Sequence, residues 1–127
     1  MEKFDIGTKE AYMAENKLKK VKITVLKVTF NEELARKYAV EGYPPCLIHK
    51  EGQVMYSNGW QKPKEMCDYA WACMRDFVLA IAQGAGYILG EGNWLKEKDM
   101  AIVTCNDGIK PVVFKVERTD TDADVIE

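Results

Sequence analysis

The segment PKEMCDYAWACMRDFVLAIAQ, residues 63–83, limits this chain more than any other stretch. Pro63 suits the first position of a helix and glycines follow at 84 and 86, so the spacing predicts one long helix from Pro63 to Gly84 or Gly86. At the helical repeat, Asp68, Arg75, Asp76 and Gln83 gather in an arc of roughly 100°, and most of the remaining circumference is apolar. Such a helix needs wide cover, from a sheet or from another subunit. The expected fold is therefore α+β: one long apolar helix packed on a small antiparallel sheet of about five strands, with barrel-like closure as an option, plus a short helix. The surplus of apolar surface makes a homo-oligomer, first of all a dimer, the expected assembly.

Strand signals supply the sheet. VKITVLKVTF, residues 21–30, changes phase: Val21, Ile23 and Val25 share one face, then Leu26, Val28 and Phe30 the other, which implies a bulge or burial on both faces. Asn31 is a good N-cap for EELARKYAV, a short helix that stops near Gly42 and the Pro44-Pro45 pair. CLIHK and QVMYS around Glu51-Gly52 read as a hairpin, and MAIVTC and KPVVFKVER around Asn106-Asp107-Gly108 as a second. Gly84 to Gly92 reads as a flexible connection. The domain is expected over residues 21–118, behind a polar arm at 1–20, helical from Lys9, and ahead of an acidic, disordered tail at 119–127.

Composition narrows the function classes. The net charge is −2, and the lysines lie among acids rather than along one stripe, which argues against nucleic acid as a partner. No run of about 20 apolar residues could span a bilayer, and the charged N-terminal segment has no signal-like apolar region, so the expected place is the cytoplasm. In a reducing compartment the four cysteines are expected as thiols, ligands or nucleophiles rather than cystines.

Cys46 and His49, spaced Cys-x-x-His, can turn towards one ion if the chain bends after Pro45; thiolate with imidazole suits zinc or iron. Cys67 and Cys105 complete a candidate metal set of Cys46, His49, Cys67 and Cys105, all near the ends of elements. Cys73 lies roughly 120° around the helix from Cys67 and is assigned to the core. The metal-free alternative is a thiol enzyme with Cys67 or Cys105 as nucleophile, His49 as base, and Asp68 or Asp107 orienting it. A third alternative is a non-catalytic accessory or binding subunit with packed cysteines, a type often buried as small hydrophobes. Trp60, Tyr69 and Trp71 are candidate walls of a pocket for a flat small molecule, although aromatic residues beside an apolar helix are more often core.

The same segments, Cys46 to His49, Cys67-Asp68-Tyr69-Ala70-Trp71, and Cys105 to Gly108 with Pro111 to Phe114, resemble an uncharacterised family of short prokaryotic proteins. The likeness spans residues 21–118 and leaves out the arm and the tail. It implies a family and carries no activity with it. The function expected from the residues is thus a small-molecule-binding, enzymatic domain built on a Cys/His cluster, with or without zinc or iron.

Overall fold

The computed structural model describes residues 18–123. Four strands, β1 (Lys19–Val28), β2 (Val54–Ser57), β3 (Met100–Thr104) and β4 (Val112–Asp122), form one antiparallel sheet in the order β2-β1-β4-β3. Two helices, α1 (Glu32–Tyr38) and α2 (Asp68–Ala82), complete an α+β domain. Alternation builds the core: Val21, Ile23 and Val25 of β1 and Val112, Phe114 and Val116 of β4 point to the face that α2 covers. From α2 come Ala70, Met74, Val78, Ile81 and Ala82, at the spacing of one helical stripe, and Met55 and Ala101 close the sides.

The phase change in β1 is a bulge. Its pairing with β4 shifts register between Val25 and Lys27, which turns Leu26 outwards and leaves Val28 half-buried. α1 starts where expected, with the Asn31 side-chain oxygen accepting from the Leu34 N–H at 3.1 Å. β3 and β4 form the predicted second hairpin.

Several expectations are corrected. The sheet is open, since its edge strands β2 and β3 do not pair with each other, and it has four strands. The missing strand is CLIHK: after Pro44-Pro45 the chain turns instead, with the Gln53 N–H bonding to Lys50 O, and passes directly onto β1 through Gly52 N–H to Val25 O and Val25 N–H to Gln53 O. β2 therefore pairs with β1 and not with residues 46–50.

The helix begins at Asp68 because residues 63–66 close a separate turn, Met66 N–H to Pro63 O, and Cys67 is extended. It buries one stripe only; Tyr69 is 70% and Leu79 41% exposed. The strands also outrun the expected boundaries, as Lys19 pairs with Asp122 at 2.6 Å and the Ala123 N–H bonds to Leu18 O, so Thr119 to Asp122 is strand rather than disordered tail. The rest of the expected arm and tail lies outside the described residues.

Two glycines place the helix end. Gly84, at φ +84°, follows the C-cap Gln83, and Gly59, at φ +109°, sits so close to α2 that an added Cβ would stand 2.9 Å from the Ala82 Cβ. The glycine-rich connection after α2 is tied back on itself, with Gly86 N–H to the Asp99 side chain at 2.7 Å and Asp99 N–H to Gly86 O at 2.8 Å.

Core truncation is expected to dominate stability. Phe114→Ala, at the centre of the helix-facing side, should cost about 3–5 kcal/mol, whereas Lys115→Ala on the outer face should cost under about 1 kcal/mol; urea unfolding of both variants measures the difference.

Candidate functional site

Three segments meet at one end of the sheet. They are the loop carrying Cys46 to His49, the start of α2 with Cys67, Tyr69 and Ala70, and the β3–β4 turn with Cys105 to Lys110. Between them is a cavity of about 300 Å³ lined by Cys46, His49, Cys67, Cys105, Asp107 and Lys110, with Ile48, Tyr69, Ala70 and Val112 supplying apolar wall. A wider, more open depression of about 510 Å³ runs along α1, but it contains neither a thiol nor an imidazole.

His49 organises this end. It is 3% exposed, its Nε2 accepts from the Cys67 N–H at 3.2 Å, and its Nδ1 lies 2.9 Å from Gln53 Oε1. Because an amide N–H can only donate, Nε2 is the bare nitrogen and Nδ1 carries the proton that Gln53 accepts. The ring edge meets Phe114, with centroids 5.3 Å apart and planes at 85°. Both nitrogens are thus engaged. A lone pair for a metal, or for a proton taken from a nucleophile, would have to be released from Cys67 first.

The thiols differ in their surroundings. Cys105 is built into the hairpin: its N–H bonds to Val112 O at 3.1 Å, and its Sγ accepts the Val112 N–H at 3.4 Å and lies 4.0 Å from Lys110 O. Cys67 is the N-cap of α2 but makes no side-chain capping bond, so its sulfur is not committed to the helix. Cys46 lies in the loop two residues after Pro44, half-buried against the core cluster. Cys73 does not line this cavity; it faces an apolar groove with Phe77, Ile88, Trp94 and Ile102.

A polar group closes the rim. The Tyr43 hydroxyl donates to Asp107 Oδ2 at 2.7 Å, Asp107 Oδ1 accepts from the Ile109 and Lys110 N–H groups, and Lys110 Nζ stands 4.7 Å from the centre of the Tyr43 ring. The Tyr43 hydrogen bond, helped by the two backbone N–H groups and the Lys110 charge and opposed by burial, holds the Asp107 carboxyl below its ordinary value. Lys110 is held above its ordinary value, chiefly by Tyr43, with burial opposing and the Asp107 and Cys46 charges adding to it.

Cys46, His49, Cys67, Cys105 and Asp107 therefore border one cavity, and Tyr69 stands at its edge. Asp68 does not join them; its side chain is 87% exposed and pairs with Lys62 at 3.1 Å. Trp71 packs against the core and Trp60 is largely exposed, so neither walls this cavity. Gln53 and Lys110 escaped the sequence reading, as did the pairing of Tyr43 with Asp107, since nothing in spacing links residue 43 to 107. The proline pair after Tyr43 and the turn before Lys110 are the signals that place them. Among the described residues no group of three or more His, Cys, Asp or Glu is arranged to hold a metal ion, and both ring nitrogens of His49 are hydrogen-bonded.

His49→Ala should cost about 2–4 kcal/mol by leaving the Cys67 N–H without an acceptor and a void beside Phe114, as a thermal melt would register, while nitrogen NMR of the wild type should show the Nδ1–H tautomer. Asp107 gives a pH signature. A lowered carboxyl contributes stability above its unfolded value and loses it as pH falls through the folded one, so the deficit of Tyr43→Phe should be greatest above about pH 5 and fade in stronger acid. Denaturant midpoints across that range measure it. Set against protein-family models, curated proteins and solved structures, the chain matches none.

Proposed function

We propose that the cavity between the Cys46 loop, the start of α2 and the β3–β4 turn binds a small molecule, and that its thiols act on that molecule without a metal. The observation that carries this reading is the convergence of Cys46, Cys67 and Cys105 from three distant segments on one cavity of about 300 Å³, at the low end of the size range of small-molecule sites. Apolar walls with a few polar groups at one rim are the usual composition of such sites. The metal-free form is supported by His49, whose two hydrogen bonds make it a strut rather than a ligand or base. Lys110 at the rim favours a ligand with an anionic group.

An apolar anion, 1-anilinonaphthalene-8-sulfonate, is the probe for this reading. It should bind saturably with enhanced fluorescence, lose at least tenfold in affinity in Ala70→Leu, which fills the cavity, and weaken several-fold in Lys110→Met. Binding indifferent to both substitutions would overturn the proposal. For assembly, the exposed Leu79, Leu89 and Trp94 support a homodimer. Light scattering should give twice the chain mass, and a monomer at every concentration would remove that part of the reading.

A further inference from the structure

Of the three thiols at the cavity, Cys105 is the least free, because its sulfur takes the place of a backbone acceptor for the Val112 N–H. Cys46 and Cys67 remain, and His49 ties them together. The His49 Nε2 bond to the Cys67 N–H fixes the loop to the start of α2, and only two residues separate Cys46 from that imidazole. A chain of three residues spans at most about 10 Å, so Cys46 stays within that reach of His49, and it shares the cavity wall with Cys67. The loop from residue 43 to 53 contains no helix or strand, so no helix or sheet ladder includes the Cys46 backbone.

The chemistry available here is narrow. Acyl transfer by a thiol needs a base, and the imidazole at hand is engaged at both nitrogens. Thiol–disulfide exchange needs only a thiolate, a second thiol and access. The Lys110 ammonium lines the same cavity as Cys46 and gives an anionic disulfide a cation to meet there. We infer that Cys46 and Cys67 form a dithiol that reduces low-molecular-weight disulfides with an anionic group, an assignment that rests on the cavity being a small-molecule site.

In the first step the Cys46 thiolate attacks one sulfur of the substrate disulfide. The substrate S–S bond breaks, a mixed disulfide forms on Cys46, and the departing thiolate takes a proton from solvent. Cys67 then gives up its proton and attacks the Cys46 sulfur, forming the Cys46–Cys67 bond and releasing the second thiol. Two protein thiols are oxidised to one disulfide, and the substrate takes up two electrons and two protons.

The experiment mixes the reduced full chain with oxidised glutathione, quenches with an alkylating agent and maps peptides by mass spectrometry without reduction. Cys46 and Cys67 peptides should appear linked, with Cys73 alkylated. Cys67→Ser should hold glutathione on Cys46, Cys46→Ser should react at least tenfold more slowly, and Lys110→Met several-fold more slowly than wild type. Should a serine variant fail to fold, Cys46→Ala and Cys67→Ala replace it, with the wild-type map as the independent measure. A bond to Cys105 or Cys73 instead, or glutathionylation of Cys46 no faster than that of Cys73, overturns the inference. If the sulfonate probe still binds in the cavity but no Cys46–Cys67 bond forms, the dithiol assignment fails alone; if probe binding ignores Ala70→Leu, the reading beneath it fails as well.

Discussion

The bond from the Cys67 N–H to His49 Nε2 joins the Cys46 loop directly to the start of α2. On one side is a loop without regular structure; on the other is the N-cap residue of the principal helix. A buried donor left without an acceptor costs about 1–3 kcal/mol, so the loop cannot leave without penalty. Phe114 holds the other side of the ring, and through it the sheet core reaches the cavity wall. The imidazole that the Cys-x-x-His spacing offered to a metal is used to hold two walls of the cavity in register.

The third wall is fixed differently. In the β3–β4 turn, Asp107 accepts two backbone N–H groups with one carboxylate oxygen and the Tyr43 hydroxyl with the other, so the turn is both closed and anchored to the loop. Cys105 adds a sulfur where a ladder oxygen would ordinarily stand. Rigid surroundings of this kind are what a reactive group needs if it is to meet a ligand at a repeatable distance. Cys67 gives its backbone N–H to this frame, while its side chain makes no capping bond to the helix.

How much of this was legible beforehand depended on the range of the interaction. Asn31 as a cap, the bulge after Val25 and the hairpin around Asn106 to Gly108 are local, set by neighbouring side chains and turn geometry, and the residue order alone reveals them. The strand expected at residues 46–50 failed because its short apolar run carries no information about whether β1 or its own neighbour will pair with β2. The helix start was misplaced by five residues because Pro63 fits the first turn of a helix and an isolated turn equally well. Cys46, Cys67 and Cys105 could be singled out from their places near element ends. The partnership of Tyr43 with Asp107 could not, since it exists only once the sheet has folded.

The described chain enters at Leu18 and leaves at Ala123, and these two residues are hydrogen-bonded neighbours at the end of the sheet remote from Val28 and Val112. β1 and β4 are adjacent and antiparallel, with their bonds lying across the strand direction. A force pulling these two points apart therefore loads the ladder one rung at a time, as a zip opens, instead of shearing all rungs together. The domain is mechanically soft along the axis joining its own ends, and the rungs nearest the thiol cavity are the last to part.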